Sequence, residues 1–121
     1  MSVTTDLADA CQELAEKLDE EQASDNYEGA EAITLGKLSA NLSSQASTLR
    51  TFAISEVITQ SQTAMNALND GTSAAVKAST NLKEAGKDIQ MVGFVLSLGA
   101  AVISGNPNSV IAAGKALVAA A

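Results

Sequence analysis

From Leu7 to Ile103 apolar side chains recur three and four positions apart, and no proline stands between them; the chain's one proline is Pro107. That spacing is the pattern of helices burying one face, because a half-buried strand would alternate at every second position. Alanine is abundant, β-branched runs are few, and only three of the 121 residues are aromatic, all of which favours helix. The 46% apolar content can supply one core, and the length suits a single helical domain over residues 1–121.

The fold class expected is all-α, an elongated antiparallel helical hairpin or bundle of about four helices, two of them long. The first runs from about Thr5, which has the chemistry of an N-cap, to Glu21. Leu7, Cys11, Leu14 and Leu18 form its stripe, and Asp6, Asp9, Glu13, Glu16 and Glu20 follow at the same rhythm along one flank. A break is expected at Gln22–Asn26. The second helix is expected over about 28–69. A heptad through 35 to 66 collects five apolar residues of ten, whereas an eleven-residue repeat through Leu35, Leu38, Leu42, Ala46, Leu49, Ala53, Val57, Gln60, Ala64 and Leu68 collects nine. The better period, about 3.67 residues per turn, predicts a straight or faintly right-handed helix, roughly 60 Å long at about 1.5 Å per residue.

Asn69-Asp70-Gly71-Thr72 has the chemistry of a stop and restart, with Gly71 as a left-handed C-terminal residue and Thr72 or Ser73 as the next cap. A third helix over about 73–104 then pairs with the second as a hairpin, presenting Ala78, Leu82, Ala85, Ile89, Val92, Leu96, Gly99 and Ile103 on one face. Ser104-Gly105-Asn106-Pro107-Asn108 predicts a second turn, with Asn106 as N-cap and Pro107 as the first residue of a short apolar helix over about 107–121.

Charge is unevenly placed. Residues 1–31 hold ten acids against Lys17 alone, a net of −9, and the remaining ninety residues sum to +2, giving −7 for the chain. That surplus disfavours nucleic acid as a partner, since phosphate backbones are bound by basic surfaces. The acidic N-terminus lacks the basic and apolar regions of a secretory signal, so a cytoplasmic location is expected, although leaderless export would leave no mark. The absence of histidine removes the usual general base and the nitrogen ligand of zinc sites. Cys11, the lone cysteine, sits on an apolar stripe and reads as a small buried hydrophobe. Gly114-Lys115 fails the phosphate-loop pattern, because Ser109 and Ala116 stand where that loop needs glycine and a hydroxyl. The cluster Asp19, Glu20, Glu21, Asp25 and Glu28 lacks the alternating ligands and central glycine of an EF-hand loop. Neither a catalytic site, a metal nor a cofactor is expected, and the chain is expected not to be an enzyme.

Two features bear on function. Fourteen of the residues from Ser39 to Thr63 are Ser, Thr, Asn or Gln, where a solvated helix usually alternates Glu with Lys. That face is either solvated with unusual composition or a contact for another subunit. From Ile89 to Gly114 there is no charge over twenty-six positions. One reading makes this stretch a central bundle helix, surrounded on all sides. In the other, residues 89–121 form a hairpin that leaves the bundle for a bilayer, although the fifteen residues of helix from Ile89 to Ile103, polar only at Gln90 and Ser97, reach only about 22 Å of a hydrocarbon core roughly 30 Å thick. Gly93, Ser97, Ala101 and Gly105, four apart, form the small-residue pattern of closely crossed helices. Long amphipathic helices with a short apolar hairpin resemble, in architecture alone, the α-helical pore-forming toxins. That resemblance implies a membrane-active role and brings no residue roles with it.

The leading expectation is a non-enzymatic interaction or self-assembly protein that acts by helix–helix packing, either as a homo-oligomer or with a helical protein partner. Its contact residues are expected to be Leu35, Leu38, Leu42 and Leu49 on the second helix, and Leu82, Ile89, Gly93, Leu96, Ser97 and Ala101 on the third. The alternative is a membrane-active helical protein, pore-former-like or its accessory, that deploys 89–121. A further expectation is that the acidic first helix shields the apolar half of the third until a partner or a drop in pH displaces it.

Overall fold

The computed structural model describes residues 3–23, 29–51, 54–80 and 85–120. They form six helices, with no strand among them: α1 (Val3–Ala23), α2 (Ala30–Thr51), α3 (Glu56–Thr59), α4 (Gln62–Thr80), α5 (Ala85–Ser104) and α6 (Pro107–Ala120). The all-α class is as expected. The partition into four helices is not, and neither is a helix of roughly 60 Å: the longest, α2, has 22 residues and spans about 33 Å.

Each departure has a local cause. The first helix already includes Val3, so Thr5 lies inside its first turn and is not its N-cap. Glu28, the expected start of the second helix, lies outside the described residues; Gly29 adopts a left-handed φ of 63°, and α2 begins at Ala30. The expected helix over 28–69 is interrupted after Thr51 by two serine caps. The Ser55 hydroxyl accepts from the Val57 amide at 3.3 Å and starts α3, and the Ser61 hydroxyl accepts from the Ala64 amide at 3.1 Å to start α4. The interruption shifts the phase of the apolar stripe, so that Val57 is 58% exposed while Ile58 is fully buried.

The stop expected at Asn69–Thr72 is absent, because α4 runs through it. Gly71 is helical and buried at a close crossing: a Cβ there would stand 2.8 Å from Leu98 Cδ2 and 3.1 Å from the Gly114 Cα. The glycine answers to the approach of α5 and α6 rather than to a turn. The hairpin expected from that turn is lost with it, and the third helix expected over about 73–104 falls on the end of α4 and on α5, with residues 81–84 outside the described ones. The turn at 104–108 forms as expected. Gly105 takes a φ of 77°, Asn106 Oδ1 accepts from the Asn108 and Ser109 amides at 2.9 and 3.3 Å, and Pro107 opens α6.

Among the described residues the helices pack as a ring in the order α1, α2, α5, α6, α4 and back to α1, with α3 against α4 and α6. Inside it lie Leu7, Leu14 and Leu18 of α1, Leu35, Leu42 and Leu49 of α2, Ile58, Leu68, Leu98 and Leu117, each at most 1% exposed. α5 is hidden on most sides: Val92, Val95, Leu98 and Val102 are fully buried, and of its described side chains from Ile89 onward only Gln90, Ser97, Ala100 and Ser104 are exposed. The neighbours covering it are chiefly α6 and α2. α1 touches α5 only marginally and lies mainly on α2 and α4, so the shielding expected of α1 falls to other helices.

Candidate interaction surfaces

α2 has two faces of opposite character. Leu35, Leu42, Ala46 and Leu49 point into the core, and Ile33, Lys37, Ala40, Asn41, Ser44, Ser47, Thr48 and Thr51 lie exposed at helical spacing on the other side. Between Lys37 and Arg50 the exposed face carries no charge and no side chain larger than asparagine. Ile33, 61% exposed, marks its N-terminal end. Short polar side chains allow another helix backbone to approach closely and offer hydroxyl and amide groups across the contact.

The inner side of α2 is joined to its neighbours by polar groups. Gln45 sits where α1, α2 and α5 meet: its Nε2 donates to the Leu96 carbonyl at 2.9 Å and its Oε1 accepts from the Cys11 thiol at 3.7 Å. Gly99 leaves the room this requires, since a methyl there would collide with the Gln45 amide. Ser39, 4% exposed, donates toward Asp19 Oδ1 at 2.6 Å, with the Ala15 carbonyl at 3.1 Å. Its single proton goes to the nearer, charged acceptor. Arg50 pairs with Asp9 at 2.8 Å on the surface, where such pairs contribute about 1 kcal/mol or less. Burial pushes the Cys11 thiol up to about 12 from an ordinary 9.0, against a smaller opposing pull from Arg50. The thiol is therefore neutral, as its place on the stripe implied.

A groove of about 410 Å³ runs between α1 and α4, lined by Asp6, Asp9, Ala10, Glu13, Thr72, Ser73 and Val76. Its acids are the flank foreseen along the first helix. Thr72 is a different matter: only 5% exposed, its Oγ1 has no hydrogen-bond partner, an omission that costs about 1–3 kcal/mol for a buried polar group. Nothing in the sequence marked Thr72 except its misassigned role as a cap. A second groove, about 340 Å³, lies between α4 and α6 and mixes Asp70 with Lys115 beside the half-exposed Val118. Among the described residues no group of three acids, cysteines or histidines is close enough to hold a metal ion. Of the acidic cluster at 19–28, Asp25 and Glu28 lie outside the described residues.

The residues expected to make helix contacts divide three ways. Leu35, Leu42, Leu49 and Ala101 are core residues within the chain, and Leu38, Ile89 and Leu96 are half-buried against that core. Leu82 lies outside the described residues. Gly93 has open space around it and Ser97 is exposed, so the small-residue stripe of α5 makes no close crossing at those two positions. The close crossing falls instead between α4 and α6, where a methyl on Gly114 would run into the Ala67 carbonyl. No described helix is long and apolar enough to cross a membrane. No protein-family model, curated protein or solved structure matches the chain.

Proposed function

We propose that this is a non-enzymatic interaction protein that self-associates by packing the outer face of α2 against a second copy of the chain. The observation that carries this reading is the uncharged, small-residue surface of Ala40, Asn41, Ser44, Ser47 and Thr48 on a helix whose other face is fully used by the core. Ser, Thr and Asn weaken an isolated helix by competing for its backbone, so a helix that carries them outward gains from a partner on that side. The non-enzymatic part rests on composition: the chain has no histidine, and its one thiol is buried and held protonated.

Membrane deployment of the α5–α6 hairpin has less behind it. Leaving the bundle would expose Val92, Val95, Leu98 and Val102 and would separate Gly114 from Ala67 and Gly71. The half-buried Phe94, Leu96 and Ile103 are the features that favour it.

Cysteine cross-linking tests the α2 face, because buried Cys11 stays silent. Ser44→Cys is expected to give an oxidised dimer rapidly, and Ser109→Cys, exposed on α6, to give one slowly. Equal rates at the two positions would remove the proposed contact.

A further inference from the structure

We infer that Gln45 is a latch across the seam between α2 and α5, and that the folded bundle opens at this seam before it unfolds, independently of any assembly through the outer face of α2. The helices fall into two firmly joined parts. α1 and α2 share the broadest contact in the ring and are tied by side chains as well, Arg50 to Asp9 at 2.8 Å and Ser39 to Asp19 at 2.6 Å. α4 and α6 meet at the level of the backbone, where Gly114 lies against the Ala67 carbonyl, and α6 carries α5 with it. Around the ring, the contact of α2 with α5 is the narrowest.

Among the described residues, one side-chain hydrogen bond crosses that seam, from Gln45 Nε2 to the Leu96 carbonyl at 2.9 Å. Its slot is Gly99, since a Cβ there would take the space of the Gln45 amide. The residues three and four positions from Gly99 on either side are Leu96, Val95, Val102 and Ile103. A slip of one turn would therefore drive the amide into a bulky apolar side chain, and the latch closes in one register only. It can nevertheless be withdrawn. Gln45 is half-buried, and its amide is the far end of a flexible side chain, so leaving the slot takes rotation of that side chain and the loss of the modest net gain of a hydrogen bond. The Gly114 crossing has no such freedom, because it is backbone on backbone. Cys11, fully buried, has its Sγ 3.7 Å from Gln45 Oε1, so the chain's one thiol is placed to report when the seam opens.

The test labels Cys11 of the full chain at pH 8 with a thiol-specific disulfide reagent over a series of urea concentrations, and follows backbone-amide hydrogen exchange on α5 in parallel. In the wild type the labelling rate should be nearly flat at low urea, the mark of a partial opening, and turn steep only where global unfolding takes over. Gln45→Met fills the slot but cannot donate, and should raise the flat rate and the exchange of α5 amides together, by about threefold to tenfold. Gly114→Ala, which strains the opposite side of the ring, should speed the steep branch alone. Gly99→Ala should accelerate labelling more in the wild type than in Gln45→Ala, because only the wild type has an amide to evict. Labelling that tracks global unfolding at every urea concentration, or a flat rate unmoved in Gln45→Met, would overturn the latch. So would faster labelling with α5 exchange unchanged, a flat rate raised as much by Gly114→Ala, or equal effects of Gly99→Ala in the two backgrounds.

Discussion

At the scale of single residues, the buried polar groups separate those the fold uses from those it leaves open. Gln45 and Ser39 bond across helices, to Leu96 and Asp19 respectively, whereas the Thr72 hydroxyl bonds to nothing. Cys11 illustrates how burial turns into pH dependence. Its thiol stays protonated in the folded chain up to about pH 12, while in the unfolded chain it ionises near 9.0. Below pH 9 both states hold the proton and stability is intact. Above it the unfolded state gains by losing the proton, so stability falls by up to about 1.4 kcal/mol per pH unit until the folded pKa is reached. Urea titrations at pH 8 and pH 10 should show the wild type losing about 1.4 kcal/mol more than Cys11→Ala over that interval. Parallel losses would mean that the thiol is not buried as described.

At the scale of elements, the crossing of α4 with α6 is set by glycine. Gly114→Ala must push against the Ala67 backbone, which cannot rotate away, and should cost about 1–3 kcal/mol in denaturant unfolding. Gly93→Ala meets nothing within 4 Å and should instead stabilise by about 0.5–1 kcal/mol through helix propensity. The opposite ordering would contradict the packing of α6. The same contrast explains what was legible in the sequence. The turn at Gly105-Asn106-Pro107 could be read because every part of it is local: a left-handed glycine, a side-chain cap and a fixed φ. The core stripe of α2 at Leu35, Leu42, Ala46 and Leu49 could be read from spacing. Asn69-Asp70-Gly71-Thr72 shows the same local chemistry as a turn yet sits inside α4, since its glycine is explained only by Leu98 and Gly114, residues distant in sequence. Ser55 and Ser61, which do begin helices, were hidden among fourteen similar polar residues. As for the candidate surfaces, the acidic flank of α1 was visible, but that Thr72 lines the same groove depends on how α1 lies on α4.

At the scale of the whole molecule, the acidic end and the charge-free stretch are not opposed to each other. The ring places α1 between α2 and α4, and the apolar α5 between α2 and α6. The chain's polarity in sequence thus becomes a bundle with carboxylates on one flank and its most apolar helix largely covered. What the ring leaves outward on α2 is a face too poor in charge for an ordinary solvated helix, and self-association is the central claim that follows. Sedimentation equilibrium over a wide concentration range tests it most directly. A mass that rises from monomer to dimer with concentration, and returns to monomer in Ser44→Lys with helicity unchanged, is the predicted result. A strict monomer at every concentration, or an assembly indifferent to Ser44→Lys, would contradict it.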